Sequence, residues 1–287
     1  MQRYTQSTRY THFSRSVARV SCLVLILIVL SACSAFFFPA NTTATKSPAL
    51  TPANESAATA TSIPTITPVS SPAGWYTAIS ENWAGYTIPR GKVTGVKAAW
   101  TEPDISNVPD AHVAIWVGIG GWANSYNNIV QIGTLARVTS DGQIVHNVWY
   151  ETLPPNSWTF IGSISAGDRV FASIELAKGS AQRWDLALVD ETSKQAFKLN
   201  VSFPSQRIYS DFVVEDPDAT SNNGPPFFPF PRFSAITFHN ANVRYAQDWI
   251  AIGAVQSLQV TLTQSGVVRA KPGALVHDTF TVTRVGS

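Results

Sequence analysis

Two short stretches of the chain place a polar side chain among large apolar ones in an alternating pattern. In YSDFVVEDP, an extended strand would put Asp211, Val213 and Glu215 on one face. In NNIVQIG, Gln131 shares a face with Ile129 in the same way. An isolated carboxylate that leaves water is strongly penalised unless it is paired or hydrogen-bonded. Glu215 therefore lies either on a solvent-facing surface or in a polar site that uses it.

Most familiar catalytic signatures are missing from the sequence. There is no HExxH, the five histidines are scattered, and the only two cysteines precede the folded part. We therefore expect no metal site. The nearest approach to a serine-nucleophile sequence is SISAG, which has Ser163 where a glycine is needed and precedes a strand rather than a helix. Because phosphate-binding and dinucleotide-binding sequences do not occur either, we expect no cofactor.

The elements that must position these side chains read as strands. A period-two alternation of apolar and polar residues recurs after Gly74, in VFASIEL at 170–176, WDLAL at 184–188, AITF at 235–238 and LQVTL at 258–262. Turn-forming clusters such as SDGQ and SAGD separate these runs, and no long stretch has a helical period. Many short alternating strands without helices predict an all-β antiparallel sandwich or barrel.

The first 73 residues read as an export signal followed by a tether. Four arginines precede the apolar run CLVLILIVL, which has the length of a signal-peptide core. The following LSAC resembles the lipobox of bacterial lipoproteins, which implies cleavage before Cys33 and its lipidation. The alternative is an uncleaved signal anchor over 20–40. Residues 33–73 are rich in Thr, Ser, Ala and Pro and predict an extended tether.

This division predicts a signal peptide over 1–32, a tether over 33–73 and a folded domain over 74–287. Without the four N-terminal arginines the chain carries 16 basic and 18 acidic residues, a net charge of −2. A near-neutral chain with no basic cluster gives no reason to expect nucleic-acid binding. We expect a monomer that is lipid-anchored to the outer face of a bacterial cell membrane, or secreted.

Six motifs in the folded part resemble those of the glutamic peptidases, the eqolisins of peptidase family G1. They are ENWAGY at 81–86, AIWVGIGG at 114–121, IVQIG at 129–133, VWYETLP at 148–154, FVVEDP at 212–217 and FPRFSAITFHNA at 230–241. Their order and separations agree with the family over most of residues 75–245. The resemblance implies a β-sandwich of two large curved antiparallel sheets, whose concave face binds an extended peptide.

The resemblance also implies the catalytic pair. The glutamine and the glutamate of the family motifs fall on Gln131 and Glu215. A carboxylate can act as general base towards a water and then return the proton to the leaving nitrogen. A neutral amide can donate to the oxyanion without adding a second negative charge. Since the unperturbed pKa of Glu is about 4.3, we expect a metal-independent acid endopeptidase that acts on polypeptides.

Four further residues occupy motif positions that lie in or near the family's groove: Trp83, Trp116, Trp149 and Glu151. They are predicted to contact the substrate or to support the catalytic pair, although a tryptophan of a β-sandwich is more often a core residue. Asp216 is expected to point away from Glu215 and to be structural. One departure from the family is Gly120, which stands where fungal members usually have an acid, so the support of the glutamine is expected to differ.

Two other functions fit part of the same pattern. Aromatic β-sandwiches on Ser/Thr/Pro-rich tethers often bind carbohydrate or cell wall, and such a module would need no catalytic pair. A glycosidase would use Glu151 and Glu215, which requires their carboxyl groups to lie roughly 5 to 10 Å apart across a sugar. Substitution of Gln131 separates these functions, because it should abolish peptide cleavage alone.

Overall fold

The computed structural model describes residues 76–120, 128–153, 156–219 and 227–286. These residues form sixteen strands and one short 3-10 turn, Ile252–Ala254. Among them, no helix is long and apolar enough to cross a bilayer. The predicted signal peptide, the tether and Cys33 lie outside the described residues, as does Asn127 of the stretch NNIVQIG.

The strands follow one another at short intervals, as the alternation predicts. Their bounds are β1 Tyr76–Ser80, β2 Trp83–Ile88, β3 Val93–Thr101, β4 His112–Gly120, β5 Ile129–Val138, β6 Ile144–Leu153, β7 Asn156–Ile164, β8 Arg169–Leu176, β9 Arg183–Asp190, β10 Ala196–Ser202, β11 Ser210–Glu215, β12 Ile236–Tyr245, β13 Asp248–Ala251, β14 Leu258–Gln264, β15 Val267–Pro272 and β16 Phe280–Arg284.

The strands form two antiparallel layers that share one strand. One layer has the order β10-β9-β8-β3-β12, and the other has the order β16-β15-β14-β2-β11-β4-β5-β6-β7. Strand β12 pairs with β3 through its C-terminal part and with β16 through Ile236–Phe238, so it passes from one layer to the other. Among the pairings of the described strands, only β1 with β14 is parallel. The predicted antiparallel β-sandwich is confirmed.

The main core lies between the two layers. Alternate residues of the central strands supply it, including Ile115 and Val117 of β4 and Ile174 of β8, all of which are fully buried. The largest contributions come from aromatic side chains such as Trp100 and Trp184. Burial of one large apolar side chain contributes about 1.5 to 3 kcal/mol relative to exposure. Packing of this kind stabilises a domain without cysteines.

A second, smaller apolar cluster lies on the opposite face of the longer layer. Its buried members are Ala114, Trp116, Ile129, Leu135, Trp149 and Val213, with Trp83, Leu153 and Trp158 packed against them. Because side chains alternate along a strand, the neighbours of the core residues on β4 point to this outer face. The longer layer is therefore apolar on both faces where β11, β4, β5 and β6 run side by side.

The C-terminal strands complete the longer layer. Strand β14 pairs with β2 and β15, and β16 links β15 to β12. The sequence motifs end at position 241 and left residues 246–287 without a role. The pairings show that these residues hold β2, and through β2 the strand of Glu215, within the layer.

Candidate active site

The strand register places the predicted site residues on one face of the longer layer. Glu215 of β11 stands opposite Trp83 of β2 and Ala114 of β4. Gln131 of β5 stands opposite Gly118 of β4 and Glu151 of β6. Directly opposed residues of antiparallel strands share a face. We call this surface of the longer layer the site face. It also carries the smaller apolar cluster and lies on the outside of the sandwich.

Three N–H groups hold the carboxyl group of Glu215. Its Oε1 accepts hydrogen bonds from Asn82 Nδ2 and from Trp83 Nε1, each at 3.1 Å. Its Oε2 accepts one from Trp116 Nε1 at 2.7 Å. A carboxylate oxygen has about two lone-pair sites, so among the contacts of the described residues Oε1 is filled and Oε2 has room for one more partner. Oε2 is therefore the oxygen that can exchange a proton with a water or a substrate.

The surroundings of Glu215 favour its protonated form overall. Burial is the main cause that raises its pKa from 4.5 to about 8, although the side chain keeps partial solvent exposure. The negative charges of Asp218 and Glu151 raise this pKa further, while the hydrogen bonds from Trp116 and Trp83 lower it. The N–H donors thus stabilise the anion against a large desolvation cost.

Gln131 and Glu151 form a buried polar pair on neighbouring strands. Gln131 is 4% exposed and Glu151 is 6% exposed, and Gln131 Nε2 donates a hydrogen bond to Glu151 Oε2. Gln131 Oε1 is buried and has no partner among the described residues. Burial raises the pKa of Glu151 to about 7, and the hydrogen bond from Gln131 lowers it. The support of the glutamine thus comes from Glu151, whereas Gly120 offers no side chain for that purpose.

The predicted tryptophans have different surroundings. The Trp83 and Trp116 rings meet edge to face with centroids 4.9 Å apart, and both indoles donate to Glu215. Trp149 is fully buried and lies against Trp158, with ring centroids 5.7 Å apart. None of the three belongs to the main core between the layers. Trp83 and Trp116 therefore support the carboxyl directly, and Trp149 packs beneath the same face.

Sequence reasoning missed Asn82, which reaches Glu215 from the turn between β1 and β2. Asn82 is 133 positions away from Glu215 along the chain. Asn82 belongs to the motif ENWAGY, where it directly precedes Trp83. Because it lies in a turn, however, the alternation of apolar and polar residues does not predict which face it lies on. Only the pairing of β2 with β11 brings the two together.

The two aspartates of the Glu215 strand occupy different faces, as predicted. Asp216 lies on the opposite face from Glu215, where it accepts a hydrogen bond from Gln264 Nε2 of β14 at 2.7 Å. Asp211 shares the face of Glu215, is fully buried and accepts a hydrogen bond from Thr87 Oγ1 at 2.8 Å. Burial raises the pKa of Asp211 well above its ordinary value and that of Asp216 to about 7.

The described residues of the site include donors and acceptors for proton transfer but form no metal-binding cluster. Across the ranges that the structure describes, no three His, Cys, Asp or Glu side chains group in a way that could hold a metal ion. The chemically distinctive groups are one carboxyl with a free oxygen lone pair and one carboxamide beside a second carboxyl. This arrangement suits acid–base chemistry on a neutral substrate.

A two-layer antiparallel sandwich with a glutamate and a glutamine on the outer face of one layer defines the class of the glutamic peptidases. The chain matches the Peptidase A4 family over residues 81–284, and it belongs to that family. It is therefore a glutamic endopeptidase of the eqolisin type. The match extends past residue 241, where the recognisable motifs end, and so includes the C-terminal strands that complete the layer.

Solved structures of similar fold agree with this assignment. Scytalido-glutamic peptidase with a transition-state analogue inhibitor has a TM-score of 0.62 and 22% identity, covering 71% of this chain and 98% of its own. SCP-B, an eqolisin in complex with the tripeptide Ala-Ile-His, has a TM-score of 0.61 and 23% identity, with coverages of 71% and 98%. Aspergilloglutamic peptidase from Aspergillus niger has a TM-score of 0.51 and 22% identity, covering 61% and 100%. A comparison with curated proteins found no match.

Proposed function

We propose that Glu215 and Gln131 are the catalytic pair of this endopeptidase. The observation that carries the proposal is the environment of Glu215, whose carboxyl is fixed by three N–H donors and keeps one lone pair free on Oε2. Gln131 lies on the same face, two strands away across β4. The proposal requires one peptide bond on this face to reach both groups, which stand opposite Ala114 and Gly118 of β4, respectively.

The proposed reaction proceeds in two steps. In the first, Glu215 Oε2 takes a proton from a water whose oxygen bonds to the carbonyl carbon, and the carbonyl electrons move onto the oxygen. Gln131 Nε2 donates a hydrogen bond to this oxyanion, which lowers the barrier. In the second, Oε2 gives the proton to the amide nitrogen as the C–N bond breaks and the carbonyl re-forms. Glu215 ends ionised, as it began.

The proposed substrate is an extended polypeptide on the site face. The related SCP-B structure holds a tripeptide, and scytalido-glutamic peptidase has been solved with a peptide-based transition-state analogue. In this chain the apolar cluster around Trp83 and Val213 offers surface for apolar side chains of such a peptide. The roles of Trp116, Trp149 and Glu151 as supports of this surface belong to the same proposal.

The alternative of a glycosidase is less well supported by the geometry. It would need two independent carboxyl groups, one as acid and one as base or nucleophile. Here Glu151 accepts a hydrogen bond from Gln131. The charge of Glu151 also raises the pKa of Glu215. The carboxyl of Glu151 is therefore engaged by Gln131, and the two-carboxyl glycosidase mechanism assigns no role to this glutamine.

The predicted acid activity depends on the same two carboxyls. The sequence prediction used the ordinary pKa of a glutamate, but burial raises the pKa values of both Glu151 and Glu215 above 4.5. In the active form that we propose, Glu215 is ionised, and the two carboxyls Glu151 and Glu215 together carry one negative charge. We therefore expect a bell-shaped profile, both of whose limbs lie above pH 4.5 and report the coupled pair.

The cellular location is also a proposal. We propose that the chain is exported and held at a bacterial membrane through lipidated Cys33, with residues 33–73 as the tether and the domain as a monomer. Mass spectrometry of the N-terminal peptide distinguishes lipidation from a retained anchor. Loss of membrane association in Cys33→Ala supports the lipid anchor, whereas retention supports the uncleaved segment over 20–40.

Digestion of an unfolded protein by the purified full chain tests the proposed function. The assay includes a metal chelator and pepstatin, because the proposed chemistry uses neither a metal nor an aspartate pair. Cleavage by the wild-type protein but not by Glu215→Gln supports the proposal. Cleavage by the wild-type protein only when the chelator is left out, or full activity of Glu215→Gln, would contradict it.

A further inference from the structure

The contact between Gln131 and Glu151 uses the same amide group that the proposed mechanism needs. Gln131 Nε2 donates to Glu151 Oε2, while Oε1 is buried with no partner among the described residues. An unsatisfied buried acceptor destabilises the folded chain. Glu151 therefore binds Nε2, the atom that the proposed mechanism needs, while Oε1 has no partner among the described residues.

The protonation state of Glu151 decides which arrangement of this pair is stable. An ionised carboxyl has only acceptors, so it must bind the N–H end of the amide. A protonated carboxyl has one O–H donor, which can satisfy Gln131 Oε1 instead. The two ends of a carboxamide have nearly the same shape, so rotation by about 180° exchanges them within the same space.

We propose that Glu151 is a positioning residue that releases the Nε2 donor of Gln131 for the substrate only when Glu151 carries a proton. This inference rests on the proposed role of Gln131 as the oxyanion donor. When Glu151 is ionised, it holds Nε2 and the donor is withdrawn. When Glu151 is protonated, its O–H satisfies Oε1, and Nε2 turns away from Glu151 and becomes available to a substrate oxygen.

The groups that face Glu151 favour this switch in acid. On β5 it meets the neutral Gln131, and its nearest neighbour on the same face of β6 is the neutral Trp149. The charged groups on the site face of β11 are Glu215 and Asp211, both carboxyls. Burial raises the pKa of Glu151 to about 7, and Glu215 interacts with it unfavourably when both are ionised. The two carboxyls titrate as a coupled pair, and the proposal requires that the single proton of the half-ionised pair lies on Glu151.

The side-chain amide resonances of Gln131 test the switch without any measurement of activity. The full chain is labelled with 15N-glutamine in the Glu215→Gln background, and the Gln131 signal is identified by its absence in Gln131→Ala. We expect this signal to move with pH along a single titration of Glu151. In Glu151→Gln the signal should stay constant, whereas Asp211→Asn, which removes a buried carboxyl that does not contact Gln131, should leave the titration in place.

The pH dependence of kcat/KM provides the second test. A glutamine at position 151 can donate to Gln131 Oε1 at every pH, so Glu151→Gln should lose the fall in kcat/KM on the alkaline side that Glu151 causes. Glu151→Ala removes the support altogether and should lower kcat about tenfold or more with a smaller change in KM. Thermal unfolding of each variant verifies that it is folded.

Two results would overturn the proposal. One is a Gln131 amide signal that does not titrate in the presence of Glu151, and the other is an alkaline limb of Glu151→Gln that coincides with that of the wild-type enzyme. The two readouts separate this inference from the proposed function. The Gln131 amide signal could titrate as expected while Gln131→Ala cleaves peptides at the wild-type rate. In that case the contact with Glu151 is a switch without a catalytic role.

Discussion

At the scale of single residues, the environment of Glu215 combines two opposing effects. Burial and the neighbouring carboxyls raise its pKa, whereas the indole N–H groups of Trp83 and Trp116 stabilise the anion. A group that must both accept and return a proton works best when neither form is strongly preferred. The tryptophans around the carboxyl therefore matter as hydrogen-bond donors as well as apolar surface.

Replacement of the Trp116 donor should move the pH profile of the enzyme. Trp116→Phe keeps the apolar ring and removes the hydrogen bond to Glu215 Oε2. A hydrogen bond to a charged group contributes about 1.5 to 3 kcal/mol, so kcat/KM should fall about 10- to 100-fold. Since this bond lowers the pKa of Glu215, its loss raises that pKa and shifts the acid limb to higher pH.

A matched control for this variant is Trp100→Phe. Trp100 is buried in the main core and donates to Thr134 Oγ1 at 3.3 Å, away from the site face. It should lower the thermal stability without moving the acid limb. An acid limb that is unchanged in Trp116→Phe, or shifted equally in both variants, would show that the indole does not tune Glu215.

The sequence predicted part of this site and missed the rest for a physical reason. Alternation alone places Gln131 and Glu215 on strand faces that also carry apolar side chains, and the resemblance to the family motifs predicts that they form a pair. The partners of Glu215 depend on which strands are neighbours, and Asn82 lies in a turn on a different strand pair. The contact between Gln131 and Glu151 likewise requires the register of β5 with β6.

At the scale of elements, strand β2 approaches β11 more closely than a side chain would allow. Gly85 of β2 stands opposite Val213 and has a φ of +152°. A Cβ atom at Gly85 would lie 2.0 Å from the carbonyl oxygen of Phe212. The glycine of the ENWAGY motif therefore allows the close pairing that holds Trp83 and Glu215 together.

Gly85→Ala should consequently lower both stability and activity. The clash is with backbone, so the strands must shift, and overpacking of this kind typically costs about 1 to 3 kcal/mol. We expect a lower thermal midpoint and a lower kcat/KM, because Glu215 moves relative to Trp83. Gly91→Ala is the control, since a Cβ atom at that turn position meets nothing within 4 Å. Equal midpoints for the two variants would contradict the proposed close approach.

The pattern of elements was predicted more fully than their arrangement. Strands such as β8 and β9 appear in the sequence as clear alternations, and their buried faces are those predicted. The passage of β12 between the layers depends on a register shift between His239 and Asn242, which leaves no mark in the alternation. The C-terminal strands also alternate, but only their pairing with β2 and β12 shows that they belong to the same layer as the site.

At the scale of the whole molecule, several carboxyls have raised pKa values, mainly because burial disfavours their ionised forms. They are Glu151, Asp211, Glu215, Asp216 and Asp218. Each binds its proton more tightly in the folded chain than in the unfolded one. Its contribution to stability is complete below the unfolded pKa and is lost as pH rises through the folded pKa. The domain should therefore be more stable in mild acid than in alkali.

This expectation can be tested by thermal unfolding as a function of pH. The midpoint should rise as pH falls from about 8 to about 5, the reverse of ordinary acid denaturation. Below the ordinary aspartate value of 3.8 the trend should turn, because Asp190 has a lowered pKa and loses its contribution there. Asp211→Asn should flatten the curve, since the fully buried Asp211 contributes to the slope. A midpoint that rises steadily into alkali would contradict the account.

The most direct test of the catalytic pair is the kcat/KM of Gln131→Ala, of Glu215→Gln and of both together, with Asp216→Asn as the matched control. Asp216 is a buried carboxyl next to Glu215 that points to the other face and contacts Gln264. General acid–base catalysis contributes about 10²- to 10⁴-fold and one oxyanion donor about 10²- to 10³-fold, and the effects of residues that act together are not additive. We predict losses of this size for both single variants, little further loss in the double variant and near wild-type activity for the control. Wild-type activity in either single variant would contradict the assignment.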